Sequence, residues 1–245
     1  MGGSGLHRAT RGELSGLPVE VAPLLLGAEL RTIARTPRDE GDAPVEVRLR
    51  ITEVEAYHGS GTGPVADPGS HARMGRTERN ATMWGEPGHL YVYLSHGIHS
   101  CVNVVAGPEG EAGGILLRAG SVVEGTDAAA RRRGASLPLS AVALRDLARG
   151  PGRLGQAVGL RHPLHDGIDA VTGEEWRGAS AELWLGEPLA DIATGPRVGV
   201  AGVAGTDAFP WRFWVADDPT VSPFRWGRGA QAAGLEHPTP DTPGS

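Results

Sequence analysis

The chain of 245 residues has no lysine, one cysteine and no long run of apolar residues. All 23 basic residues are arginine, so no side-chain amine is available to form a Schiff base. Cys101 has no second cysteine with which to form a disulfide or a paired-thiol metal site. No segment has the roughly 20 apolar residues of a membrane helix, and residues 1–16 lack the apolar region of a signal peptide. A cytoplasmic protein without membrane contact is therefore expected.

Negative charge is in excess, and the formal net charge of −6 argues against nucleic-acid binding through bulk charge alone. The arginines are nevertheless clustered, because Arg73, Arg76 and Arg79 are close together and residues 131–133 are consecutive arginines. A solvated surface and a nucleic-acid contact are equally good interpretations of each cluster. The composition favours one globular domain over residues 17–226, with flexible tails at 1–16 and 227–245.

A clear strand pattern covers residues 45–56, where apolar residues occupy alternate positions from Val45 to Ile51. Continuing that period places Glu53 and Glu55 on the apolar side of the strand. A carboxylate there either reaches a cleft at the end of the strand or is desolvated, and both situations suit a general base.

Residues 89–120 predict three antiparallel strands, the first two joined by a tight two-residue hairpin at His96 and Gly97. The long connection before them, residues 58–88, is rich in glycine and proline and carries three arginines, which is typical of a functional loop. Later in the chain, two helical pieces are broken at residues 150–152, whose glycines offer backbone amides to a phosphate.

All three tyrosines fall in one quarter of the chain, among several histidines. Aromatic rings near a carboxylate suit a flat ligand such as a nucleobase, although ordinary packing explains such rings equally well. Glu53 and Glu55 can divide acid and base roles in hydrolysis of a glycosidic bond, or one of them can pair with Arg118. The spacing of the histidines gives little support to a metal site.

Several segments together resemble the alkyladenine (3-methyladenine, methylpurine) DNA glycosylases over about residues 17 to 225. They are "RITEVEAYHG", "SHARMGRTERN", "GHLYVYLSHGIHSCVNVV", "GILLRA", "RGPGRLGQAVGL", "RVGVAG" and "PWRFWVADDPTVS". The resemblance implies a mixed α/β (α+β) single domain with a curved antiparallel sheet, peripheral helices and a protruding β-hairpin. It also implies a monomer that needs no metal or cofactor and that, in a prokaryote, works at the nucleoid.

Such enzymes push the hairpin into the minor groove of double-stranded DNA, flip an alkylated purine into a pocket and hydrolyse its N-glycosidic bond. They leave an abasic site for base excision repair. The absence of lysine agrees with hydrolysis, since a lyase-type glycosylase normally uses an amine nucleophile. The lesion stays open among 3-methyladenine, 7-methylguanine, hypoxanthine and ethenoadenine.

Residue by residue, the resemblance implies that Glu55 is the general base and that Arg118 helps to hold the attacking water. It assigns the flipped base to Tyr57, His71, Tyr93 and, at the pocket floor, Asn103, and the DNA wedge to His96. Contacts with the DNA backbone are implied for Arg76, Thr77, Arg79, Asn80, Gly152 and Arg153.

The chain departs from the family pattern in two places. His96 stands where well-studied members carry a tyrosine wedge, so weaker penetration of duplex DNA is expected. The connection from Tyr57 to His71 spans 14 positions, longer than in those members, and can displace His71. Two other function classes stay open from the sequence: a non-catalytic nucleic-acid-binding module that keeps the pocket, and a sugar glycosidase that uses Glu53 and Glu55.

Overall fold

A computed structural model describes residues 5–39, 41, 43–59 and 65–232 of the chain. The helices are α1 (Arg11–Leu14), α2 (Pro18–Val21), α3 (Thr126–Arg133), α4 (Ala141–Asp146) and α5 (Pro151–Val158), with 3-10 turns at Ala22–Leu25, Glu78–Trp84 and Gly202–Gly205. The strands are β1 (His7–Arg8), β2 (Glu29–Ala34), β3 (Val45–His58), β4 (His89–Ser95), β5 (His99–Val104), β6 (Gly113–Glu124), β7 (Ala148–Arg149), β8 (Ile168–Asp169), β9 (Ala179–Leu185), β10 (Ile192–Gly195) and β11 (Arg212–Val215).

Within the described residues, all eleven strands join one curled antiparallel sheet, whose main path runs in the order β1-β9-β2-β3-β6-β5-β4-β8. Strand β3 is the longest, and its first half pairs with β2 while its second half pairs with β11. Its other edge pairs with β6 along most of its length. The predicted fold class, a mixed α/β single domain with a curved antiparallel sheet and peripheral helices, is confirmed.

The main apolar core lies on one face of this sheet, where α5 packs across β5 and β6. Two glycines allow the close approach of helix and strand. A Cβ atom on Gly155 would lie 2.1 Å from the carbonyl oxygen of Ser100, and one on Gly152 would lie 2.8 Å from the ring of His99. Gly152 therefore packs against the hairpin strand, a role that the sequence did not indicate.

A β-bulge reverses the two faces of β3 at Thr52. Ile51 pairs with Gly120 and Glu53 with its neighbour Ala119, so Thr52 is an extra residue without a partner on β6. Core-facing positions are odd-numbered up to Ile51 and even-numbered from Val54. The prediction that Glu53 and Glu55 share the apolar face is therefore wrong, because the extra residue turns both carboxylates to the opposite face.

The β4–β5 hairpin forms as predicted and its tip is exposed, but its loop has three residues rather than two, since Ser95 pairs with His99. The amide of Ile98 donates to the carbonyl of Ser95 over 3.0 Å, which closes a turn around His96 and Gly97. Both central residues have positive φ, 49° at His96 and 71° at Gly97. Ile98 is 72% exposed at the tip.

The boundaries of the domain extend beyond the predicted ones at both ends. Residues 5–16, predicted to be tail, pair β1 with β9 and bury Leu14 in the core. Thr10 caps the N-terminus of α1, where its side chain and that of Glu13 form a reciprocal capping box. At the other end Ala230 is buried, while residues 1–4 and 233–245 of the predicted tails lie outside the described residues.

Candidate active site

A cavity of about 340 Å³ opens on the face of the sheet opposite the main core. Its walls come from β3, β4, β5 and β6, from the segment after the 58–70 connection, and from the loop around Val198. Five of the predicted site residues line it together, namely Tyr57, His71, Tyr93, Asn103 and Arg118, and the wedge residue His96 stands at the same cavity. The lining also includes Gly69, Met83, Tyr91, Ser95, Cys101, Leu116, Pro151, Val198, Gly199 and Val200.

The Glu55 carboxylate lies directly behind this wall, with no exposed surface. One oxygen, Oε2, accepts from the Tyr57 hydroxyl over 2.7 Å and from Arg118 Nη1 over 3.4 Å. The other, Oε1, accepts from the backbone amide of Val198 over 2.6 Å. A carboxylate has about four lone-pair sites, and the described residues supply three donors to this one.

Tyr57 and Arg118 are both held in the protonated form that Glu55 requires. Burial, followed by the negative charge of Glu55, raises the pKa of Tyr57 well above its usual value. Burial alone would lower the pKa of Arg118, but the charges of Glu55 and Glu53 outweigh it and raise that pKa. Both side chains therefore remain donors toward the carboxylate.

The Glu53 carboxylate accepts more hydrogen bonds from protein groups than the Glu55 carboxylate does. Its Oε1 accepts from Arg118 Nε over 3.1 Å and from Arg212 Nε over 2.7 Å, and the Ser222 hydroxyl and amide donate to the two oxygens over 3.0 and 2.7 Å. Protein donors thus occupy both of its oxygens. Neither glutamate lines the cavity itself, and Glu53 differs in having four protein donors, of which Arg118 Nε is fixed in orientation by this contact.

Aromatic rings form one side of the cavity. The rings of Tyr91 and Tyr93 stack with centroids 5.5 Å apart, and the His71 ring meets Tyr93 edge-on at 4.6 Å. Loss of hydration, together with the charges of Arg79 and Arg73, lowers the pKa of His71 and favours its neutral form. His71 thus stands beside Tyr93, as predicted, although residues 60–64 of its long connection lie outside the described residues.

The cavity floor contains Asn103, which is 5% exposed. Its Nδ2 donates to the carbonyl of Tyr91 over 2.9 Å, and this bond fixes the orientation of the amide. Oδ1 accepts no hydrogen bond from the described residues. Cys101, next to it on the same face, is buried, and burial raises the pKa of its thiol.

The predicted backbone contacts separate into two groups. Arg76, Thr77, Arg79 and Arg153 are exposed, the first three in the segment that follows His71 and the last on α5. Asn80 is buried instead: its Nδ2 donates to the carbonyls of His71 and Gly75 over 3.0 and 3.2 Å, and its Oδ1 accepts from the Thr77 amide. Both protons of Nδ2 are used within the protein, so the Asn80 side chain braces the segment that carries Arg76 and Arg79.

Arg197 is a site residue that the sequence did not single out. Its guanidinium, fully buried, makes a two-point pair with Asp67 at 2.7 and 2.8 Å and lies 4.5 Å above the ring of Tyr57. Its neighbour Val198 supplies the amide that contacts Glu55. The only signal in the sequence was an arginine inside the apolar stretch "RVGV", which requires a buried partner.

Among the described residues, no group of three or more histidine, cysteine or carboxylate side chains could hold a metal ion. A helix long and apolar enough to cross the membrane is likewise missing from that part of the chain.

The sequence of the chain matches a known protein family. Residues 14–219 match the family model of methylpurine-DNA glycosylase. The chain is 47% identical over 207 residues to a protein of Leifsonia xyli subsp. xyli, covering 84% of this chain and 88% of that protein. It is 47% identical over 209 residues to one of Streptomyces avermitilis (84% and 87%) and 46% identical over 214 residues to one of Cutibacterium acnes (86% and 97%). All three relatives carry the name "Putative 3-methyladenine DNA glycosylase".

Proposed function

Because the chain belongs to the methylpurine-DNA glycosylase family, we propose that it releases alkylated purines from DNA through a water molecule activated by Glu55. It is a DNA repair enzyme, a hydrolase of N-glycosyl bonds with DNA as its substrate. The observation that carries the proposed mechanism is the Glu55 carboxylate held by Tyr57, Arg118 and Val198, three residues of one cavity wall.

In this mechanism the Glu55 carboxylate accepts a proton from water. The water oxygen attacks C1′ of the flipped deoxyribose, the C1′–N bond breaks, and its electron pair leaves with the purine. The product is an abasic site. Arg118 stays protonated, keeps its hydrogen bond to Glu55 and offers positive charge to the water and the sugar.

The cavity walls support a purine that carries an alkyl group as the substrate. A purine alkylated at N3 or N7 is cationic, and the faces of Tyr93 and Tyr57 attract a flat cation. The preference expected from each such contact is about 0.5–2 kcal/mol. Asn103 matches the family asparagine at the pocket floor, and this resemblance supports discrimination against the exocyclic amine of guanine in favour of adenine-type lesions such as 3-methyladenine.

The two other function classes have weaker support. A glycosidase that divides acid and base roles between Glu53 and Glu55 needs a free Glu53, whose oxygens are occupied by Arg118, Arg212 and Ser222. A binding module without catalysis gives no reason for a buried carboxylate whose three donors, from Tyr57, Arg118 and Val198, all come from residues that line the cavity.

The decisive experiment is incubation of the wild type and the Glu55→Gln variant with methylated double-stranded DNA, with released bases separated by chromatography. The wild type should release 3-methyladenine, and the variant should be slower by about 10²–10⁴-fold, the usual contribution of a general base. Duplex binding should survive in the variant, because glutamine has nearly the same shape as glutamate and preserves the wall.

The matched control is Glu53→Gln, which changes the neighbouring carboxylate in the same way. We expect it to lower thermal stability, since it weakens a buried charge cluster, and to leave more activity than Glu55→Gln. Equal losses of activity in the two variants would favour the two-carboxylate glycosidase, and no release by the wild type would refute the proposal.

A further inference from the structure

A groove of about 370 Å³ lies on the other side of the β4–β5 hairpin from the cavity. Strand β5 separates the two spaces, because Cys101 and Asn103 line the cavity whereas Ile98 and Ser100 line the groove. The opposite wall is α5 and the residues that follow it. We call this space the arginine groove; it is lined by Thr36, Pro37, Arg38, Ile98, Ser100, Arg132, Gly155, Gln156, Gly159, Leu160, Arg161 and His162.

Positive charge in the arginine groove has little compensation from acids. Arg38 and Arg161 are exposed and form no ion pair with a carboxylate among the described residues. Arg38 donates only to the carbonyl of Arg132, over 3.0 Å. Arg132 itself is buried and paired with Asp39 at 2.9 Å, so this acid is already neutralised.

Arg133 adds a further positive charge beside the arginine groove. It donates to Gln156, which lines the groove, and its Nε is buried without a hydrogen-bond partner. Burial, with the charges of Arg153 and Arg38, lowers the pKa of Arg133. Such a cluster of guanidinium groups beside an open groove suits an anion with several charged oxygens.

We propose that the arginine groove binds the phosphates of the DNA strand opposite the lesion. This inference rests on the proposed function, because it requires the hairpin to enter the minor groove while the damaged nucleotide enters the cavity. The two sugar-phosphate backbones border that groove, so a hairpin inserted there has one strand on each side. The lesion strand faces the cavity and Arg76, and the second strand then runs along Ile98 toward Arg38 and Arg161.

The inference separates two sets of arginines by the strand that they contact. Arg38 and Arg161 should matter only when a complementary strand is present, whereas Arg76, on the cavity side, should matter for either form of DNA. The variants to compare are Arg38→Gln with Arg161→Gln, Arg76→Gln, and the control Arg177→Gln. Arg177 is also exposed but stacks on Trp176, whose indole donates to the carbonyl of Asp166, and it does not line the arginine groove.

The measurement is binding to a duplex with a tetrahydrofuran abasic site, and to its lesion strand alone, over a series of salt concentrations. The double variant should bind the duplex about tenfold more weakly near 0.1 M salt, and its salt slope should fall by roughly 0.9 for each lost phosphate contact. Its affinity for the single strand and its single-turnover rate at saturating enzyme should match the wild type.

Equal loss of duplex and single-strand binding in the double variant would overturn the inference, because it would indicate a general charge effect. Duplex binding no weaker than that of Arg177→Gln would overturn it as well. Failure of the wild type to release methylated bases refutes the proposed function instead, while the binding comparison still decides whether a complementary strand contacts the arginine groove.

Discussion

The guanidinium of Arg197 connects three parts of the site through its nitrogens and its flat face. Two nitrogens hold both oxygens of Asp67, which in turn accepts from the amides of His58 and Gly69 close to His71. The face of the guanidinium lies between the rings of Tyr57 and Trp211, at 4.5 and 5.0 Å. The next residue, Val198, donates to Glu55. Arg197 is thus a positioning residue for both the base and the aromatic wall.

At this scale we predict that Arg197→Lys lowers the single-turnover rate of base release by about 10- to 100-fold, since a small displacement of reacting groups has effects of that size. Lysine keeps the charge but cannot make the two-point pair or the flat stacking contact. Affinity for duplex DNA should not change, because Arg197 has no exposed surface. Measuring both the single-turnover rate and the affinity for duplex DNA on the same variant tests whether only the rate changes.

Arg212→Lys is the matched control. Arg212 is also buried, pairs with a carboxylate and lies over a tryptophan ring, but its partners are Glu53 and Trp214 rather than Asp67 and Tyr57. Both variants should lose thermal stability. If Arg212→Lys slows catalysis as much as Arg197→Lys, the effect is general loosening and the positioning role is refuted.

The hairpin is the element that decides how the protein enters a duplex. His96 at its tip has φ 49°, a left-handed conformation that histidine adopts more readily than most residues with a Cβ. The ring is exposed and small for filling the space of a flipped purine. The strained backbone at an exposed ring is consistent with a functional position rather than a packing one.

For this element we predict that His96→Tyr increases excision from double-stranded methylated DNA several-fold, because a larger ring stacks better, with about 1–3 kcal/mol per stacked base. The same variant should show no gain on single-stranded DNA, where no stack has to be filled. A slight loss of thermal stability is expected, since tyrosine is less tolerant of positive φ. Equal rates of wild type and variant on duplex DNA would contradict the wedge assignment.

Strand β3 shows what periodicity can and cannot predict. The alternation from Val45 to Ile51 correctly predicts a strand and its buried face, and it correctly places Glu55 and Tyr57 on one side, where they share a hydrogen bond. It cannot predict the bulge, because Thr52 is as compatible with a regular strand as with an extra unpaired residue. The contacts of Glu53 were equally inaccessible, since Arg212 and Ser222 lie 159 and 169 positions away in sequence.

Over the whole molecule, buried neutral histidines should make stability depend on pH. Burial lowers the pKa of His58 to about 4, and burial with the charge of Arg161 lowers that of His165 to about 4. Between that value and 6.5 the unfolded chain binds more protons than the folded one, so the free energy of unfolding falls as the pH falls. Nε2 of His58 is buried without a hydrogen-bond partner among the described residues, and the charge of Asp67 offsets only part of the effect of burial on its pKa.

We therefore predict that the wild type loses stability between about pH 7 and pH 5 and that His58→Phe loses about 1–2 kcal/mol less over the same interval. Phenylalanine keeps an aromatic ring against Trp211, which the His58 ring meets at 4.8 Å. Urea unfolding at both pH values gives the two differences, so that any change in packing cancels. An identical decrease in the two proteins would exclude His58 as a source of the pH dependence.

At the same scale, the ends of the chain show where composition fails. Glycine, serine and threonine near the N-terminus predict a tail, yet Thr10 is a helix cap and Leu14 a core residue. Composition counts residue types, whereas capping and pairing depend on single positions whose partners, such as β9, lie far along the chain. The candidate cavity was predictable from motifs, but Arg197, Asp67 and the arginine groove arise from tertiary contacts alone.

Because of the bulge at Thr52, the effect of an insertion or deletion in β3 depends on whether the number of residues is odd or even. Inserting or deleting one residue between Leu49 and Glu53 would exchange the two faces of the strand beyond that point. Glu55 would then point into the apolar core of the protein, although its sequence motif would be unchanged. A change of two residues would preserve its direction. A related chain can therefore contain the whole motif "EVEAYHG" and still be an inactive enzyme. The number of residues between the apolar run and that motif distinguishes an active glycosylase from an inactive one.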